Sequence, residues 1–485
     1  MAVDSTPLAR PGTAPPVPGT GRGPRAGYAS GALVTGVFST LPGLLLLPYL
    51  TDTLGTGAVL AGTVVLLPKA WNALLGPLVG HAGDRRPRRR AHLLGGGVCV
   101  AAAFVLMFSA PGPASAGVWW AAAGFFLAAT AYAFFQVPYA ALPAELTDRP
   151  AARVALVAAR VAAIAVSALL IGAVGPSLAD AGGGGVPGYR LVGVFGAVSV
   201  LAGTLGVLLG IRGLPLGAAR LPLGAARTSS PAAPSVPAAP SVPAAPSMSS
   251  ISSDPAAPAE GAVPSAWSGL RGQLAFARRV AGFPALLAGI VVQSVATGAL
   301  TAGASYFSEH IIGDKNATGL LVAAFVVPNL LTVRAWTRLG ARRGHRAGYR
   351  WACAVFAAGC LLLCAAPVLP LPVVLLVMAV AGAGHAGQLL FLYSLLQESI
   401  AGEGLRGAGV SSGLFTTCET LGLAVGPFLY ALTLALFGYA SSGTGHAAAQ
   451  STTAHAGILV GIGVLPALAA VAATAVLGRG ARTGS

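Results

Sequence analysis

Charged side chains are scarce in this sequence: Asp, Glu, Lys and Arg make up 9% of its 485 residues, against about 25% in an average soluble domain. That scarcity excludes a water-soluble enzyme of this length. Acids are scarcer still, 13 against 29 Lys plus Arg. The five cysteines (Cys99, Cys353, Cys360, Cys364 and Cys418) all lie in apolar stretches, and none forms a CxxC pair. They read as small buried hydrophobes, which argues against a disulfide framework or a zinc site. Catalytic signatures are missing too: no HExxH, no GxSxG in a strand–turn–helix frame, no Walker loop, no clustered carboxylate pair. No enzymatic activity, metal or cofactor is therefore expected.

Apolar residues, by contrast, make up 55% of the chain, and the mean hydropathy is +0.77. They come in long uncharged runs, each a candidate membrane span. Six runs lie near 28–50, 57–80, 91–110, 117–140, 152–175 and 190–211. Six more lie near 283–307, 317–335, 348–367, 371–397, 406–437 and 455–477. At 1.5 Å per residue each can cross roughly 30 Å of hydrocarbon. No strand-like alternation competes, which excludes a lipid-facing barrel. The expected fold is an all-α membrane protein of twelve transmembrane helices in two six-helix bundles, 28–212 and 281–478.

The basic residues fall mostly in the even-numbered loops: GDRRPRRR (83–90), Arg149 and Arg153, Arg212 to Arg279, Arg334 to Arg350, and Arg406. Odd-numbered loops hold only Arg190 and Lys315. By the positive-inside rule the basic loops and both tails (1–27 and 479–485) are cytoplasmic. The expectation is a multi-pass protein of the cell inner (plasma) membrane, a monomer in the lipid bilayer. The net charge of +16 is then topology, not a nucleic-acid footprint, because the basic residues are scattered and lack interleaved aromatics. Between the bundles, 213–280 carries LPLGAAR in tandem (214–227) and PAAPS-type repeats (231–247). Such composition favours extended, solvated chain and reads as a cytoplasmic linker.

Two basic loops occupy equivalent places in the halves, GHAGDRRPRRR (80–90) and RAWTRLGARRGHR (334–346). The first resembles the loop signature of the major facilitator superfamily, with Gly80, Asp84, Arg85, Arg88 and Arg89 on the pattern and Pro87 in place of the usual Gly. The resemblance implies a gating role for this loop; a topogenic basic loop is the other reading. The stretch VPYAALPAELTDRPAARVALVAAR (137–160) resembles the glycoside–pentoside–hexuronide:cation symporters, the melibiose-carrier branch, with Pro138, Tyr139, Ala141, Leu142, Glu145 and Thr147 on its motif. Leu156 and Arg160 match the Leu-xxx-Arg that opens that family's fifth helix. YFSEHIIG (306–313), GAGHAGQLLFLYSLLQESIAGEGLRGAGVSSG (382–413), LGLAVGP (421–427) and Phe437-Gly438-Tyr439 follow its seventh, tenth and eleventh helices more loosely.

The departures are as informative. Where the symporters place two cation-binding aspartates one turn apart on helix 2, KAWNALLGP (69–77) has Asn72 and Gly76. In the register of their sugar-binding acids stand Ala32 and Gln136. Sodium–sugar symport therefore does not carry over; the fold does. Ionisable groups inside spans mark function by default, and here they are Lys69, Arg160, Glu419 and, more peripherally, Glu398. Arg160 and Glu419 are expected to share a central cavity, with Glu419 a protonatable switch and Arg160 its partner or an anion anchor. Asn72, Gln136, Tyr139, Gln293 and Gln388 are candidate polar contacts, with inter-helix hydrogen bonding as the plainer role; His385 is read as a core histidine.

The leading reading is a secondary active transporter that moves a small-molecule solute by alternating access, with protons as the candidate coupling ion. An efflux or lipid-like transporter for amphipathic molecules is a second reading, mildly suited by Phe134, Phe135 and Tyr139. A third is a non-transporting receptor or scaffold on the same fold.

Overall fold

A computed structural model of the chain describes residues 22–85, 89–112, 115–147, 150–212, 275, 278, 282–403, 405–443 and 448–482. Apart from positions 275 and 278, the expected linker lies outside the described residues. Every described element is helical. The first half holds α1 (Arg22–Leu41), α2 (Ala58–Arg85), α3 (Arg89–Met107), α4 (Ser115–Leu146), α5 (Pro150–Ala181) and α6 (Gly185–Gly210). The second holds α7 (Phe283–Tyr306), α8 (Ala317–Leu331), α9 (His345–Leu363), α10 (Leu371–Glu403), α11 (Leu405–Leu436) and α12, which runs from Thr452–Leu459 through a π-helical turn to Leu465–Arg482. Among the described residues ten helices are long and apolar enough alone to cross a membrane, and eleven if the broken eighth span is included. The remaining one, α9, starts with His345, Arg346 and Arg350, which lower its apolar character at one end.

The two halves repeat each other. Helices α4, α5, α10 and α11 are the longest, at 32, 32, 33 and 32 residues, about 48 Å each at 1.5 Å per residue. They outreach the hydrocarbon and carry the chain into the arginine-rich loops. The first helix of each half also ends alike, in π-helical turns: Pro42–Leu46 and Tyr49–Thr53 after α1, Phe307–Ile312 after α7. In α1 the cause is local, since Pro42 and Pro48 remove backbone donors and push against the preceding turn. The eighth span differs from its expected 317–335 run. Helix α8 stops at Leu331 and the chain bends by 49° into a short basic helix, Val333–Arg343. Pro328 inside α8 removes a backbone donor, and the Thr332 amide and hydroxyl both donate to the Pro328 carbonyl, at 2.9 and 2.7 Å, in the last turn before the bend.

Within each half, helices approach closely where side chains are absent. A Cβ on Gly426 would lie 2.4 Å from the Val295 carbonyl oxygen and 2.6 Å from the Ala299 nitrogen, so α11 and α7 meet backbone to backbone. Large side chains fill what remains: Tyr28, Tyr139, Phe104 and Phe135 in the first half, Tyr306, Tyr349 and Tyr430 in the second, are fully buried. Outward, Trp119, Leu209, Leu376 and Leu468 are more than half exposed, which suits a lipid-facing surface.

The described contacts between halves gather at the arginine-poor end. There α5 meets α8, where a Cβ on Gly319 would lie 2.8 Å from the Ala173 Cα, and α2 meets α11 at Gly62 and Ala431. Thr51 hydrogen-bonds Tyr306 at 2.8 Å, Ser305 donates to the Leu44 carbonyl at 2.7 Å, and Ser441 donates to the Thr56 carbonyl at 2.8 Å. Ser177 donates to Asn316 at 3.2 Å, and Lys315 lies 3.9 Å from Asp180. The molecule is closed on this face.

Candidate functional site

The centre of the site in the first half is Arg160, ten residues along α5 from its Pro150 start. Its guanidinium carbon lies 5.4 Å from the centroid of the Tyr139 ring, and its Nε is buried with no hydrogen bond. Tyr139 is held in turn: its hydroxyl donates to the Tyr28 carbonyl at 2.6 Å and the two rings stack at 4.9 Å. An aromatic wall contributed by α1 and α4 thus fixes the arginine by cation–π contact. From the second half, Glu419 on α11 accepts a 3.0 Å hydrogen bond from Tyr393 of α10, whose ring packs on Phe415. Arg160 is within electrostatic range of both Glu419 and Tyr393 of the other half. No direct ion pair joins them among the described residues.

Lys69 occupies a separate place, nearer the closed face. It is 7% exposed, and its Nζ lies 3.8 Å from where a Gly43 Cβ would stand, with Thr301 of α7 alongside. Among the described residues it has neither a hydrogen bond nor an acid beside it. This is a buried ammonium between the halves, not one reaching back to an interface.

The neutral polar candidates are engaged in helix packing. The Asn72 amide donates to the Ala129 carbonyl at 2.8 Å, and Gln136 accepts from Thr35 at 2.9 Å. Gln293 pairs with His385 Nδ1 at 2.9 Å, and Gln388 reaches the Cys353 sulfur at 3.3 Å. The oxygens Gln293 Oε1 and Gln388 Oε1 are buried without partners. Phe135 is fully buried within its half. Of the motif residues, Pro138 and Tyr139 are buried in α4. Gly80 lies within α2 and Arg89 opens α3, whereas Arg88 and the side chains of Asp84, Arg85 and Glu145 lie outside the described residues.

One cluster lies outside the family motifs. In the turn after α1, Asp52 is 6% exposed and its Oδ1 accepts from the Tyr439 hydroxyl at 2.8 Å. Ser442 donates to the Asp52 carbonyl at 2.8 Å, and His310 Nε2 bonds the same Tyr439 hydroxyl at 3.0 Å. Asp52 Oδ2 is buried and unpartnered. Beside it Lys315 is committed to Glu309 at 2.8 Å. The available signal was the placement of acids: Asp52, Asp180, Glu309 and Asp314 all fall in loops where arginine is rare.

A family model described as "MFS/sugar transport protein" matches residues 27–215 and 248–479. No curated protein matches the sequence significantly. Among solved structures, a bacterial homologue of the human lysosomal transporter Spinster, in an inward-facing and occupied conformation, superposes with a TM-score of 0.66 at 14% identity, covering 95% of this chain and 96% of that one. A D-xylose–proton symporter matches at 0.61 and 15%, covering 93% and 96%. A nucleoside transporter, NupG, matches at 0.58 and 12%, covering 93% and 98%.

Proposed function

Given that the chain belongs to the MFS/sugar transport protein family, a family of secondary transporters, we propose that it moves an anionic small solute together with protons through the gap between its halves. It is a multi-pass membrane transporter that works by alternating access. The observation that carries the substrate and coupling reading is the placement of Arg160 opposite Glu419 with no ion pair between them. Of the ionisable groups in the membrane interior, Lys69 and Arg160 are cations and Glu419 is the one central acid among the described residues. An interior with that balance is completed by an anion.

Coupling follows from competition. While Arg160 is unoccupied, its charge favours ionised Glu419; a solute anion that neutralises Arg160 removes that support. Proton and solute then load together, and the neutralised pair crosses the low-dielectric interior at lower cost. Tyr393 positions the carboxyl throughout. Asn72 and Gly76, in the register of the melibiose carriers' cation-site aspartates, support a proton over sodium as coupling ion. That branch of the superfamily remains our assignment from the 137–160 motif.

The same reading gives orientation. The arginine-rich loops, both tails and the 213–280 linker are cytoplasmic in the inner membrane, so the closed face points outward and the state is inward-facing. Bundles at 28–212 and 281–478 rock about the site as a monomer, with no nucleic-acid partner. The Glu419→Gln protein in proteoliposomes tests the coupling: solute counterflow persists while accumulation driven by a proton gradient is lost. Unchanged accumulation with unchanged pH dependence overturns it.

A further inference from the structure

Asp52 is a carboxyl that the central site does not use, placed where closure of the arginine-poor face depends on it. Its partners come from the opposite half: Tyr439 donates to Oδ1, Ser442 donates to its backbone oxygen, and His310 orients the Tyr439 hydroxyl. The second carboxyl oxygen is enclosed with nothing to bond. Ionised, this group would hold a charge at 6% exposure with only neutral hydroxyls, those of Tyr439 and Thr51, to support it and, among the described residues, no cation of its own. The nearest base, Lys315, is taken by Glu309 and faces Asp180 as well. The remaining titratable groups around it are the hydroxyls of Tyr189, Tyr306 and Tyr430, with His455 behind His310 at 6.4 Å between ring centroids. None supplies a compensating charge.

We propose that Asp52 is a proton-binding site, loaded from the arginine-poor side, whose proton holds that face shut. It is distinct from Glu419 and rests on alternating access alone, not on the solute or coupling reading of the central site.

The sign follows from what changes between states. In the closed state burial pushes the Asp52 carboxyl up to about 7; the Tyr439 hydrogen bond opposes this and the nearby Glu309 adds to it. When the halves part on that face, Tyr439, Ser442 and Glu309 leave with the second half. The carboxyl then meets water and returns to an ordinary value of about 3.9. The closed form therefore binds the proton more tightly, and acid favours closure. Between about pH 4 and pH 7 each unit is worth up to tenfold in the closed-to-open ratio. Below that window both forms are protonated and the dependence ends.

The test needs no solute. Spin labels at Ala116→Cys and Val368→Cys sit on the arginine-poor ends of the two halves, in a full-length chain with its five native cysteines replaced. Inter-label distances are measured in lipid nanodiscs from pH 4.5 to 8.5. The parent is expected to shift toward the short distance as pH falls, whereas Asp52→Asn, neutral and of the same shape, stays short throughout. Asp52→Ser supplies the same pH-independent readout should the asparagine variant fold poorly, and Asp52→Glu keeps the titration. A parent without pH response overturns the proposal. So does an Asp52→Asn protein that titrates like the parent, or a response that vanishes in His310→Gln but persists in Asp52→Asn.

Discussion

The Tyr139 ring decides where the Arg160 guanidinium can sit, because its own hydroxyl is pinned to the Tyr28 carbonyl. A lysine there keeps the charge but not the flat stack. Arg160→Lys should weaken solute binding about tenfold, the equivalent of about 1.4 kcal/mol, with the unfolding temperature unchanged; isothermal binding and thermal unfolding read the two separately. Tyr139→Phe removes one hydrogen bond, worth about 1 kcal/mol, and should lower both. Lys69 behaves in the opposite way. A buried ammonium without a partner costs stability that an apolar side chain of similar length does not. Lys69→Met should therefore raise the unfolding temperature in detergent while abolishing transport, and a lowered one would mean the ammonium has a structural partner.

At the scale of helices, closure depends on α5 and α8 meeting without side chains between them. A Cβ at Gly319 already falls 2.8 Å from the Ala173 Cα and 3.1 Å from the Gly172 carbonyl oxygen, both backbone atoms with no freedom to swing aside. Gly319→Leu should hold the arginine-poor face open, lengthening the Ala116–Val368 label distance at every pH. The helices themselves were legible from apolar runs, because twenty-odd uncharged residues have few alternatives in a bilayer. Their ends were less so. Helix α4 runs over Ser115–Leu146 where 117–140 was expected, since helix continues past the hydrocarbon without needing apolar residues. The break after Leu331 was signalled by Pro328, yet the π-helical end of α7 has no proline to announce it. Arg160 and Glu419 stood out in sequence because charge inside a span is rare. Asp52 and Tyr439 did not, being 387 residues apart and each ordinary among its neighbours.

Over the whole molecule, the described contacts between halves lie on one face, and the central residues remain partly exposed: Tyr393 is 42% exposed, and Arg160 and Glu419 are half-buried. A cysteine at Glu419 in a cysteine-free chain should react with a membrane-impermeant maleimide in inverted vesicles and be shielded in right-side-out ones. The reverse pattern would invert the orientation assigned from the arginines. The composition of the closed face has one more consequence. Lys315 with Asp180 is the one ion pair described across it; the other described polar contacts are hydroxyls meeting carbonyls, an amide, another hydroxyl or a carboxyl. At an ionic strength of about 1 M charges are screened within about 3 Å, but short hydrogen bonds between neutral groups are not. A transporter sealed in this way should close as firmly in brine as in fresh water, so its working state follows the acidity of its surroundings and ignores their salinity.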